Sequence, residues 1–217
     1  MEKEVYKNVE RLYRKRALIY NIMSESAGRR RSFRKFFLRK NYLKKSSRIL
    51  DAGCGTGIVI QSLIKTSSKK DVHNTEFYGF DLTSAIIEIF NKWIKKQGYK
   101  NIHLYRANVL KIDKQLPNSW TNFDLIVSAN MLEHIPRDKL PQAIKKLKSL
   151  LMENGKLVLF IEKDNIINRT FVKLVWGSEV YTKEQLSNIF KKAGFKHIKI
   201  NKFGSFFFRC FVVEAKN

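Results

Sequence analysis

The run Ile49-Leu50-Asp51-Ala52-Gly53-Cys54-Gly55-Thr56-Gly57 constrains this chain more than any other stretch. An apolar strand leads straight into a turn with three alternate glycines, and an apolar, helix-like run begins at Ile58. Residues without a Cβ take positive φ and let the backbone approach a ligand closely. A helix starting directly after such a turn adds free N–H groups and a positive dipole end. A plain strand-to-helix turn needs one glycine cap, so three in alternation predict a turn built around an anionic or polar ligand.

From Arg48 onward strand and helix patterns alternate, which predicts an α/β fold with a parallel sheet covered on both faces. Strands are expected at 48–52, 76–80, 102–107, 123–128 and 156–161, with helices at 58–65, 84–96 and 137–151 between them. The stretch 66–74 reads as a polar loop. Thr182-Lys183-Glu184-Gln185 is a capping-box pattern that opens a helix over 182–193. Two closing strands, 195–201 and 205–215, read as a hairpin turning at Phe203-Gly204. Residues 163–181 break the alternation without a clean period, which suits a lid or substrate wall.

Residues 1–47 read as a basic N-terminal segment of amphipathic cap helices, ahead of a main domain expected at 48–217. In 29–40, Phe33, Phe36, Phe37 and Lys40 fall on one side among arginines and lysines. Residues 1–48 hold sixteen Lys and Arg against four Glu, half of the chain's net +24. That asymmetry points to an anionic partner: a lipid surface met by residues 29–40, a nucleic acid, or an acidic substrate. No window carries the roughly 18 consecutive apolar residues of a membrane span, and the charged start lacks the apolar core of a secretory signal. A cytoplasmic protein is the expectation, with peripheral contact at the membrane as its variant. Two cysteines without Cys-x-x-Cys spacing predict neither a metal site nor a disulfide framework.

In an open parallel sheet, ligands bind outside the carboxyl ends of the strands. There the sequence gathers Asp51, the glycine turn, Asp81, Asn108-Val109, and Ser128 through His134. An acid ending strand two sits where it can accept both hydroxyls of a ribose, and Asn108 with Val109 one strand along can meet an adenine edge and face. A nucleoside-bearing cofactor fits. The Asp-x-Gly-x-Gly-x-Gly spacing differs from the Gly-x-Gly-x-x-Gly of dinucleotide turns.

On these residues the chain resembles the class I, seven-stranded S-adenosylmethionine-dependent methyltransferases over roughly residues 48–215. The resemblance implies a Rossmann-like, mostly parallel seven-stranded sheet with an antiparallel C-terminal strand and S-adenosyl-L-methionine as cofactor. It implies that Asp51, Gly53, Cys54, Gly55 and Gly57 hold the methionine end and ribose, that Asp81 and Leu82 bind the ribose hydroxyls, and that Asn108 and Val109 contact adenine, with Ser128 nearby. Many members carry Asp where this chain has Asn108. The stretch Tyr20-Asn21-Ile22-Met23-Ser24, followed by the basic helix, is similar to the ubiquinone/menaquinone C-methyltransferases and bacterial phospholipid N-methyltransferases, whose acceptors are lipid-like.

The resemblance leaves the acceptor open: a small-molecule or lipid-like O, N or C atom, with Tyr20, Trp176 and Tyr181 expected to face it. His134, and after it Glu133, are the candidate general bases for a hydroxyl or acidic carbon, or else they cap the next helix and line the cofactor pocket. The residues after strand four, Asn130-Met131-Leu132-Glu133, do not form the Asn-Pro-Pro-Tyr-like tetrad used on amino groups of adenine or glutamine. A nucleic-acid methyltransferase using the basic helices and a non-catalytic binding module of the same fold are the alternatives.

Overall fold

The computed structural model describes residues 28–40, 42–43, 47–164, 179–204 and 209–216. The expectations placed on Tyr20 and Trp176 lie outside these residues, as does most of the anticipated lid.

Seven strands form one sheet: β1 (Arg48–Ala52), β2 (Glu76–Asp81), β3 (Ile102–Arg106), β4 (Phe123–Ala129), β5 (Leu151–Glu162), β6 (His197–Gly204) and β7 (Arg209–Lys216). Their order is β3-β2-β1-β4-β5-β7-β6. Neighbours run parallel from β3 through β5, and β7 is antiparallel to both β5 and β6. This is a Rossmann-like fold. Alternate residues feed two cores on opposite faces of the sheet, as the period of a strand requires. Leu50, Phe80, Ile126 and Leu159 enter one; Ile49, Phe77, Val127 and Phe160 enter the other.

The helices are α1 (Arg29–Lys40), α2 (Ile58–Lys65), α3 (Lys69–His73), α4 (Ser84–Gln97), α5 (Ile112–Gln115), α6 (Leu140–Ser149) and α7 (Lys183–Lys192). Burial of Phe33 and Phe37 seats α1 on the sheet, with Phe33 edge-on to Phe160 at 4.8 Å between ring centroids. Lys40 Nζ donates to both oxygens of Glu214 on β7, at 2.7 and 2.9 Å. The basic helix therefore packs its phenylalanines inward, while Arg31, Lys35, Leu38 and Arg39 are exposed.

Several boundaries differ from the sequence reading. The supposed loop 66–74 contains α3, whose N-cap Ser68 accepts from the Asp71 N–H; only Val72 of that helix is buried, so its apolar pattern was too thin to show. Strand β5 begins at Leu151, opposite Phe123, rather than at 156, and α6 is correspondingly shorter. Phe203-Gly204 lies inside β6, with Gly204 opposite Arg209, and is not the turn.

The capping box at α7 is present: the Gln185 N–H donates to Thr182 Oγ1 at 3.2 Å, and the Thr182 N–H to Gln185 Oε1 at 3.0 Å. Thr182→Ala is expected to cost about 1 kcal/mol in chemical denaturation. A loss indistinguishable from zero would show that this cap does not contribute to stability.

Candidate active site

After β3 the chain returns across the sheet to lay β4 beside β1, so the winding reverses between β1 and β4. Ligand clefts open at that reversal. Here a cleft enclosing about 720 Å³, part of it open to solvent, lies beyond the strand ends. Its walls are Gly53 and Gly55 from the turn, Asp81 at the end of β2 with Leu82 and Thr83 after it, Asn108 and Val109 after β3, and Asn130, Met131 and His134 after β4.

The turn is folded tightly against β2. Gly53 and Cys54 both donate their N–H to Phe80 O, at 2.8 and 2.9 Å, and Gly57 N donates to Cys54 O at 2.8 Å. Gly53 has φ 76, and a Cβ there would stand 2.4 Å from the Met131 side chain; Gly57 has φ 86, and its Cβ would stand 2.2 Å from the Phe90 ring. Both positions thus exclude a side chain by backbone conformation and by crowding.

Asp81 carries the polar edge of the cleft. Its Oδ2 accepts from Gly55 N at 3.0 Å and its Oδ1 from Thr83 N at 2.9 Å. Burial raises its pKa, and these N–H groups oppose the rise. Asp51 lies behind the turn, 1 % exposed, and is not on the cleft wall. Neither of its carboxylate oxygens has a hydrogen-bond partner. Burial, then the like charge of Asp81, hold its pKa well above the ordinary range, with the Ile60 N–H giving electrostatic relief but no completed bond.

Other predicted site residues fall elsewhere. Cys54 turns its buried side chain toward Gly79, and Gly57 caps α2, so neither lines the cleft. Leu82, Asn108 and Val109 do line it. Asn108 also caps the 3-10 turn Val109–Lys111, its Oδ1 accepting from Leu110 N at 2.9 Å. Ser128 is fully buried inside β4, off the cleft, with its Oγ unpartnered. Tyr181 is fully buried and away from the cleft wall, beneath the Arg137 guanidinium at 4.9 Å.

Past β4, His134 lines the cleft, and desolvation pushes its pKa down to about 4. Glu133 is not on the cleft wall; it is 2 % exposed, with Oε1 accepting from Asn130 Nδ2 at 2.8 Å. Burial, then the neighbouring Glu162, raise it to about 8. Sequence reasoning placed Asn130 and Met131 at this end of the sheet without giving either a role, and passed over Glu162. Asn130 has φ 55, a left-handed conformation that Asn tolerates better than most residues and that marks sites where the backbone is held for a purpose.

These shifts set a pH dependence of stability. Between its ordinary 4.5 and about 8, native Glu133 keeps a proton that the unfolded chain has released, so stability falls as pH rises through that window. His134 acts oppositely, losing stability as pH falls from 6.5 toward about 4. Above pH 6.5 only the carboxyl contribution remains, so the unfolding temperature should drop from pH 6.5 to about pH 8.5. Glu133→Gln should flatten that decline; a temperature that rises over the same interval would contradict the assignment.

Comparison with known proteins bears on this geometry. A family model described as a methyltransferase domain matches residues 43–194. The chain belongs to that methyltransferase family. Among curated relatives, the ubiquinone biosynthesis O-methyltransferase of Histophilus somni (strain 2336) is 33% identical over 143 residues, which is 63% of this chain and 52% of that protein. The chain spans about half the length of the curated relatives it matches. Among solved structures, magnesium protoporphyrin IX methyltransferase from Synechocystis PCC 6803 with bound SAH superposes with a TM-score of 0.65 at 16% identity, covering 88% of this chain and 84% of that one. A SAM dependent methyltransferase from Aquifex aeolicus gives 0.63 at 22% identity, over 82% and 86%. Both share the fold. Among the described residues no cluster of three or more His, Cys, Asp or Glu is arranged to hold a metal ion, and no helix is long and apolar enough to cross a membrane.

Proposed function

We propose that this methyltransferase-family chain uses S-adenosylmethionine to methylate a small-molecule acceptor. The observation that carries the reading is Asp81, whose carboxylate, at the end of β2, forms one wall of a cleft bounded by the glycine turn and by Asn108-Val109. The residues present fit the cofactor. Asp81 is placed to receive the two ribose hydroxyls, and Ile86 and Val109 give apolar walls for an adenine. When bound, the cofactor supplies an electrophilic sulfonium methyl. The chain's own work is then to align the acceptor and exclude water.

His134 stands at the β4 end of the cleft, where an acceptor would meet the methyl, and at neutral pH its imidazole is uncharged. It is therefore suited to orienting an acceptor by hydrogen bonding without repelling the sulfonium. The O-methyltransferase named among the relatives supports a hydroxylated small molecule as the first acceptor to try. Exposed Arg31, Lys35 and Arg39, with the 66 % exposed Leu38 between them, support peripheral contact with anionic lipid as the route of a lipid-like acceptor. A transfer screen with methyl-labelled cofactor against hydroxylated aromatics, lipid extracts, amines and RNA tests the reading. Label in a small hydroxylated or lipid-like product is expected. Label confined to RNA, with binding that weakens steeply with salt, would overturn it.

A further inference from the structure

The chain leaves β3 and turns through Asn108 on the cleft wall, one strand along from Asp81. Ala107 N donates to Asp81 O at 3.0 Å, which fixes the start of this turn against the end of β2. Asn108 is then held from two sides: its backbone N–H donates to Gln115 Oε1 at 2.7 Å, and its Oδ1 accepts from Leu110 N at 2.9 Å. Its backbone is extended, with φ −96 and ψ 127, as an N-cap residue requires, and the 3-10 turn Val109–Lys111 follows. Val109 and Leu110 are buried, so the turn is anchored in the core.

The cap bond settles which way the amide lies. A backbone N–H can only donate, so the side-chain atom facing Leu110 N is the oxygen. Nδ2 and its two hydrogens are the part of the side chain left for a ligand, and no hydrogen bond among the described residues uses them. A carboxylate here would act otherwise: one oxygen would cap Leu110 and the other would face the ligand as an acceptor. Asparagine and aspartate are equivalent as N-caps, so the difference between them falls on the ligand. The cleft-lining neighbours from this turn, Ala107 and Val109, are apolar. Asn108 therefore carries the polar side-chain recognition that the β3 end offers.

We propose that Asn108 recognises the cofactor's purine as a hydrogen-bond donor, giving its amide N–H to a ring nitrogen, and that the 6-amino group of adenine is not read at this end of the cleft. The inference rests on the methyltransferase reading and adds to it a polarity that the position of Asn108 alone does not give. Adenine presents side by side an acceptor, the ring nitrogen N1, and a donor, the 6-amino group. An amide whose oxygen is engaged in its own cap meets the first and not the second. Such a site accepts a purine with or without the amino group. A carboxylate in the same place would discriminate, because loss of the amino group leaves its acceptor unmet.

The test is calorimetry on the full chain with S-adenosylhomocysteine and with its analogue bearing unsubstituted purine, which keeps N1 and lacks the 6-amino group. The wild-type chain is expected to bind the two within about threefold. Asn108→Asp keeps the cap, so its unfolding temperature should stay near that of the wild type. In that variant the analogue should bind about tenfold or more weakly than S-adenosylhomocysteine. A second readout is spectroscopic. In 15N-labelled protein the Asn108 side-chain NH2 pair, identified by its absence from Asn108→Asp, should shift when either nucleoside is added. A wild-type preference of about tenfold for S-adenosylhomocysteine, an unchanged preference in Asn108→Asp, or an NH2 pair that does not move would each overturn the proposal. Failure of folded wild-type chain to bind either nucleoside would instead remove the methyltransferase reading, and the proposal with it, so the two failures are separable.

Discussion

Asp81→Ala is expected to weaken S-adenosylmethionine binding by about 100-fold or more. The carboxylate already accepts two backbone N–H bonds, from Gly55 and Thr83, which hold the glycine turn against the end of β2. In the proposed complex it would also receive the ribose hydroxyls, and a hydrogen bond to a charged group contributes about 1.5–3 kcal/mol. Alanine removes both sets at once, leaving the two N–H groups unmet and the turn without its anchor. Asp81→Asn keeps an oxygen acceptor and should show an intermediate loss. Calorimetry on both variants, with unfolding temperature as the control for folding, checks the order. Wild-type affinity in Asp81→Ala would mean that the ribose binds elsewhere.

Phe33→Ala should cost about 3–5 kcal/mol of global stability. Phe33 is fully buried and meets Phe160 edge-on at 4.8 Å, Phe203 at 5.3 Å and Phe37 at 6.1 Å. Truncation leaves a ring-sized cavity at the seam between α1 and the sheet, bounded by aromatic rings that cannot close over it without leaving their own contacts. Because α1 is further held to β7 through Lys40 and Glu214, the helix cannot follow the cavity inward. Phe33→Leu, which keeps most of the volume, should cost less than half as much. Urea denaturation is the measurement. A loss below about 1 kcal/mol would show that α1 detaches before the sheet unfolds.

The sheet and the cofactor cleft were largely written in local sequence. Apolar strand segments such as Leu125 to Val127 are buried on both faces and read as continuous runs. The glycine turn announces its backbone conformation through residue type, and Asp81 announces itself by position, one step past an apolar strand. What escaped depends on distant pairing. Glu162 reads as an ordinary acid at the end of a strand until the sheet order lays β5 beside β4, and the register then sets it next to Glu133. Cys54 and Gly57 lie inside the right motif, yet they serve packing against Gly79 and Phe90, which no one-dimensional spacing reveals. Helix α3 buries only Val72 and so leaves almost no amphipathic pattern.

The central claim is that the cleft beside Asp81 holds a sulfonium nucleoside. Isothermal titration of the full chain with S-adenosylmethionine tests it most directly. The account predicts saturable one-to-one binding that S-adenosylhomocysteine competes away. No binding heat at millimolar cofactor, from protein shown to be folded, would contradict it.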